Sequence, residues 1–171
     1  LRDYCEDWAD LMAYCRHSAA PVGRFLLDLH GESRDTFPSS DALCAALQVL
    51  NHLQDCGKDY HELKRVYIPR DWLAEAGLTI RVLEGRSSPP ALRGVLDRML
   101  DATDGLIRLA QPLPGLIRDT RMRLQAAVTV RVAERLSARL RKGDPLAERV
   151  KLSGLDYAGV FAVGCWRGLT A

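Results

Sequence analysis

No stretch of this chain approaches the about 18 uninterrupted apolar residues that a membrane-crossing helix needs. Neither sign of charge dominates: 24 Lys and Arg stand against 22 Asp and Glu, a net charge of +2. That near balance argues against a dedicated nucleic-acid binder. None of the five cysteines, at 5, 15, 44, 56 and 165, forms a CxxC pair. An odd number of thiols in helical patterns suits buried cysteines in a reducing compartment better than disulfides or zinc. His17, His30, His52 and His61 do not cluster as zinc ligands, although His52 and His61 lie beside a polar helix face described below. A Gly-rich phosphate loop, an alternating strand pattern, an internal repeat and a Ser-His-Asp set are all lacking, and we expect no signal peptide in this stretch. Hydrophobic residues, by contrast, make up 47% of 171 positions, enough for one domain with a real core.

Those apolar residues recur at helical spacing, so the chain reads as all-α. Its centre is Asp41 to Tyr67, DALCAALQVLNHLQDCGKDYHELKRVY. At about 100° per residue, Gln48, Asn51, Asp55 and Asp59 fall within an arc of roughly 80°. Leu43, Ala46, Leu47, Leu50 and Leu53 fall on the other side. The front therefore carries two carboxylates one turn apart, a repulsive arrangement that a cation relieves. Mg²⁺ suits it, since this ion takes oxygen ligands and is commonly held by one or two carboxylates plus phosphates. The plain alternative is a solvated surface. Cys44, Ala45 and Cys56 near the same arc weigh against that, because an ordinary surface favours Lys, Glu or Arg there.

Around this centre, Leu1 to Ser18 reads as a helix with Tyr4, Trp8, Leu11, Met12, Cys15 and Ala19 inward and Tyr14 off that stripe. A break at Ser18-Ala19-Ala20-Pro21-Val22-Gly23 is followed by helix from Arg24 to His30, stopped by Gly31. A polar loop over 34–40 leads to Ser39 or Ser40 as cap of the central helix. After Pro69, Asp71 is placed to cap a short helix that Gly77 ends. Residues 78–88 read as a loop with a turn of helix. Ala91 to Ala110 and Leu116 to Leu140 are long amphipathic helices, the second lined with arginines whose simplest role is a solvated face over apolar stems. Asp156 to Leu169 is a last helix with apolar Phe161 and Trp166, open to docking on the core or touching a membrane.

LQxxNxxxDxxxD followed by RVYIP (Arg65 to Pro69) resembles the second aspartate-rich region of the squalene and phytoene synthase family. YCRHSAAPVGR (Tyr14 to Arg24), HLQDCGKDY (His52 to Tyr60) and DPLAERVKLSGLD (Asp144 to Asp156) resemble the bacterial hydroxysqualene synthase branch. The resemblance implies an isoprenoid synthase-type helical bundle and Mg²⁺-dependent chemistry on a prenyl diphosphate. In that branch presqualene diphosphate loses diphosphate and water ends the sequence as hydroxysqualene. In the squalene and phytoene branches two prenyl diphosphates such as farnesyl diphosphate are first joined head to head. Carried over residue by residue, Asp55 and Asp59 would be metal ligands, Asn51 and Gln48 hydrogen-bonding groups, and Tyr14 a ring facing a carbocation. Arg65 and Tyr67 would lie near the mouth of the site, with Arg65 suited to diphosphate oxygens. Lys58 would contact diphosphate or be a solvated charge, and the small-residue step at Val22 would let two helices approach closely or leave room for a prenyl chain. Arg149, Val150 and Lys151 match a segment near the cavity.

Family members carry a first aspartate-rich motif upstream of the tyrosine helix, and this chain shows no counterpart. We therefore expect it to be the C-terminal part of a family member, a single domain over 1–171, or a truncated reading frame. Alternative readings are a non-catalytic helical remnant that binds a partner or prenyl lipid, and a bundle whose acidic front is mere surface. The expected location is the cytoplasm, free or peripherally attached at the inner membrane face.

Overall fold

The computed structural model describes residues 4–170. In chain order it forms α1 (Trp8–Ser18), α2 (Ala20–Leu29), α3 (Phe37–Gln54), α4 (Cys56–Lys58), α5 (Arg70–Glu75), α6 (Pro90–Ala110), α7 (Leu113–Leu116), α8 (Thr120–Leu140) and α9 (Gly154–Thr170). Among the described residues the one extended pairing is an isolated bridge between Tyr4 and Val66. The expected all-α fold is what forms.

Caps and local hydrogen bonds decide the boundaries that periodicity misplaces. The first helix begins at Trp8, because Asp7 caps it by accepting from the Asp10 N–H at 2.8 Å. Ahead of it the chain is extended: Cys5 N–H donates to Val66 at 3.1 Å, and its carbonyl accepts from Arg70 at 3.2 Å. The expected start at Leu1 lies outside the described residues. The central helix starts earlier than expected, at Phe37, with Pro38 in its first turn. Ser40 is thus buried inside the helix rather than capping it. At the other end Pro69 stands at the cap of α5, and Asp71 accepts from the neighbouring Trp72 N–H instead. Helix α8 begins at Thr120, four residues late, because Asp119 caps it and the buried Glu32 carboxylate accepts from the N–H groups of Arg118 (2.9 Å) and Asp119 (2.7 Å).

The core lies where the backs of α3 and α6 meet. Leu43, Ala46, Val49, Leu50 and Leu53 are buried on α3, facing Leu92, Val95, Leu96, Met99, Leu100, Thr103 and Ile107 of α6. Each large side chain so buried contributes about 1.5–3 kcal/mol. On α8 the deepest face is Ala126, Ala127, Val130, Ala133, Leu136 and Leu140. Leu124 and Val128 turn toward α9. There Gly164 lets the helices approach closely, since a Cβ on it would stand 2.8 Å from Val128 Cα. The arginines of α8 are not a merely solvated row. Arg135 and Arg139 clamp Asp156, and Arg141 spans Asp101 and Asp104. All five cysteines are free. No helix among the described residues is long and apolar enough to cross a membrane.

Candidate functional site

Beyond Gln54 the central helix changes character. Asp55 ends α3, α4 adds one turn, and Asp59–Leu63 widens into a π-helical turn. It stops at Lys64, whose φ of 55° is left-handed. The helical run therefore ends at Leu63, and Lys64 to Pro69 follows it as a separate segment. Val66 must be extended to pair with the N-terminal segment, and Ile68 precedes a proline that disfavours helix. This fold-back lays Tyr67 across the polar front. Its ring stacks on His52 with centroids 3.4 Å apart and planes 14° from parallel. Tyr14 of α1 completes the group, 5.4 Å from Tyr67 and 5.8 Å from His52.

Gln48, Asp55 and Asp59 share this front with the aromatic group. The Gln48 amide nitrogen is 3.1 Å from His52 Nε2, and His52 Nδ1 is 3.7 Å from Asp59 Oδ2. Both aspartate side chains are 14% exposed. Burial and then the neighbouring Asp55 charge push the Asp59 pKa above its ordinary value. Asp55 is paired: Arg149 Nε and Nη2 reach its two oxygens at 2.8 and 2.9 Å, a bidentate fork. Arg149 is delivered by the segment after α8, anchored where Gln54 donates to the Val150 carbonyl at 2.5 Å. Burial, followed by a hydrogen bond with Tyr14, raises the Tyr67 hydroxyl pKa to about 12.

The remaining sequence-picked residues divide. Asn51 is on the same face and exposed. Arg65 is exposed and interacts with the Tyr67 hydroxyl. Lys58 is exposed and stands 3.8 Å from Glu62, the geometry of a solvated charge pair. Val22 is apart from the polar group. It lines an apolar recess of about 170 Å³ with Leu26, Leu43, Leu47, Met122 and Ala126, between α2, α3 and α8. Gly23 is needed at its wall, since a Cβ there would stand 2.6 Å from Cys44 Sγ.

Periodicity noticed His52 only as a neighbour of the front, yet it is the hub. Its spacing of four from Gln48 and seven from Asp59 was the available signal. The contact of Arg149 with Asp55 joins residues 94 apart in sequence, which no local pattern reveals.

Among the described residues no group of three or more His, Cys, Asp and Glu side chains is arranged to hold a metal by itself. Asp55 and Asp59 nevertheless have the donor chemistry that Mg²⁺ takes when phosphate and water supply its other ligands. The raised pKa of Asp59 marks a charge that a cation would stabilise.

Comparison with known proteins addresses the chain as a whole. The profile of the squalene/phytoene synthase family matches residues 1–156. A hydroxysqualene synthase of Rhodopseudomonas palustris is 48% identical over 152 residues, 89% of this chain and 52% of that protein. A hydroxysqualene synthase of Zymomonas mobilis is 46% identical over 162 residues, 93% of this chain and 54% of that protein. The chain thus spans about half the length of the curated relatives it matches. A crystal structure of squalene synthase from Alicyclobacillus acidocaldarius superposes with a TM-score of 0.77 at 32% identity, covering 82% of this chain and 53% of that one. A dehydrosqualene synthase structure, at 21% identity, shares the fold with a TM-score of 0.87 over 99% of this chain and 60% of its own. Matched over most of its length by the family profile, the chain belongs to the squalene/phytoene synthase family.

Proposed function

We propose that this chain carries one wall of the active site of a Mg²⁺-dependent enzyme that converts presqualene diphosphate to hydroxysqualene with loss of diphosphate. The observation that carries this reading is a mostly buried carboxylate pair, Asp55 and Asp59, on the helix whose preceding turns line an apolar recess. The 48% identity to a protein named hydroxysqualene synthase favours this branch over the phytoene branch, where a 15-cis-phytoene synthase of Paracoccus is 31% identical.

Asp55 and Asp59 would hold Mg²⁺, which when bound would stabilise charge on the departing diphosphate. Arg149, now on Asp55, and exposed Arg65 are guanidinium groups within the same front, suited to diphosphate oxygens. Gln48 and Asn51 would orient the substrate by hydrogen bonds. The faces of Tyr14 and Tyr67 present negative quadrupole density toward a carbocation. The recess beside Val22 would seat isoprenoid carbons and keep water from them. The first aspartate-rich motif expected of the family would supply the facing carboxylates. The apolar face of α9, with exposed Leu155, Phe161 and Trp166, supports peripheral contact with the membrane that receives the product.

The test is to express the full-length gene product and supply presqualene diphosphate with Mg²⁺. Hydroxysqualene is expected, and its formation should fail without Mg²⁺ and in Asp55→Asn. Unchanged turnover in Asp55→Asn would remove the metal role. Formation of phytoene from geranylgeranyl diphosphate, with no hydroxysqualene, would move the protein to the phytoene branch.

A further inference from the structure

We infer that His52 is a positioning residue whose neutral imidazole donates its Nδ1–H to the Asp59 carboxylate and so sets the orientation of that carboxylate. The inference rests on the role proposed for Asp59. The hydrogen bond itself can be tested without it.

His52 is only 6% exposed, and its Nδ1 is buried with no hydrogen-bond partner. Buried polar atoms are nearly always paired, so such an atom calls for an explanation. Asp59 Oδ2 stands 3.7 Å from it, too far for a hydrogen bond but within a small side-chain rotation of one. Hydrogen bonds at reactive sites are often long before substrate binds and tighten afterwards.

The network chooses the tautomer. If the Gln48 amide nitrogen faces Nε2 at 3.1 Å, Nε2 accepts and the ring proton sits on Nδ1, facing Asp59. Turning the amide over would place the proton on Nε2. The bare Nδ1 lone pair would then face a carboxylate oxygen, with neither satisfied. Only the Nδ1–H form pairs Nε2 with Gln48 and leaves Nδ1 a donor that Asp59 can accept from once the 3.7 Å gap closes. Stacking on Tyr67 at 3.4 Å holds the ring plane, so Nδ1 is aimed rather than free to swing. The ring is buried, and burial disfavours a charged imidazolium.

The consequence separates the two aspartates. Arg149 offsets the charge of Asp55. A neutral imidazole orients Asp59 and leaves its full negative charge available to a cation. Outer partners of this kind, which orient a ligand without touching the metal, typically change metal affinity about 10–100-fold when removed.

The tautomer can be read directly in the ¹⁵N-labelled protein at pH 7 from long-range proton–nitrogen correlations of the imidazoles, His52→Asn supplying the assignment. An Nδ1–H pattern for His52 is expected, and an Nε2–H pattern would overturn the inference whatever the enzyme turns out to do. The second measurement is the Mg²⁺ concentration that half-saturates binding of inorganic diphosphate to the full-length protein, followed by calorimetry. His52→Leu is expected to raise it about tenfold or more, while His52→Asn, whose amide nitrogen can stand in for Nδ1, should recover most of that loss. Equal effects of the two variants, or none, would also overturn it. If wild type binds no Mg²⁺–diphosphate, the proposed function fails, and the tautomer still decides whether His52 donates to Asp59.

Discussion

Asp156 and Asp59 are both carboxylates withdrawn from water, and the chain treats them in opposite ways. Asp156, 1% exposed, accepts from Arg135 Nε at 2.6 Å, from Arg139 Nε at 2.9 Å, and from both the N–H and the hydroxyl of Ser153 at 2.8 Å. Those donors, Ser153's N–H foremost, hold its pKa well below the ordinary carboxylate range. It pins the first turn of α9 onto α8. Asp59 sits instead beside a like charge, one turn from Asp55, with a histidine nitrogen just out of reach, and its pKa is pushed up. A fully satisfied carboxylate is a structural clamp. A carboxylate set beside a like charge in a crowded polar front is one whose charge a cation would stabilise.

Exchanging each acid for its amide tests that contrast most sharply. Asp59→Asn should lower kcat of the full-length enzyme about 10²-fold or more, the scale of removing one preorganised electrostatic contact. Its melting temperature should hold or rise, because like-charge repulsion is relieved. A variant that melted early and turned over normally would reverse the two roles. Asp156→Asn should do the opposite: it melts several degrees earlier, while turnover of the folded protein and its Mg²⁺ dependence stay as in wild type.

A pH series distinguishes the sites again. The folded-state pKa of Asp156 lies below its unfolded value, so its contribution to stability is fully present above about pH 4. It is lost as pH falls through the folded pKa. Thermal melts between pH 5 and pH 2 should show the wild type losing stability more steeply than Asp156→Asn, with parallel curves counting against the clamp. Smaller again is Arg149→Met. The arginine is about half exposed, so the pair should contribute under about 1 kcal/mol to stability, as read by denaturant midpoint. Diphosphate affinity is the quantity it should change. The smallest effect belongs to Lys58→Met, which should move stability within about 0.5 kcal/mol, since Lys58 and Glu62 are both solvated. A loss of diphosphate binding in this variant would restore Lys58 as a ligand.

Much of the site was legible along one helix. Gln48, Asp55 and Asp59 fall on one face because 3.6-residue periodicity is a local property, and the buried stripe of α6 was readable for the same reason. Helix starts were less readable, since Asp119 and Asp7 compete as caps with residues of equal propensity, and only Glu32 and Val66, distant in sequence, decide between them. Asp156 was readable as a helix start but not as a clamp, because Arg135 and Arg139 meet it from another helix.

The order of apolar and polar residues by itself determined the helices, the greasy back of α3 and the four-residue spacing of the carboxylates that follow it, because these follow from backbone geometry and burial along one stretch of chain. The tertiary structure alone decided that Tyr67 folds back onto His52, that Arg149 takes Asp55, and that His52 Nδ1 is left facing Asp59. Those contacts depend on how segments far apart in sequence pack, and the balance of burial and hydrogen bonding that sets them exists only once the core has closed.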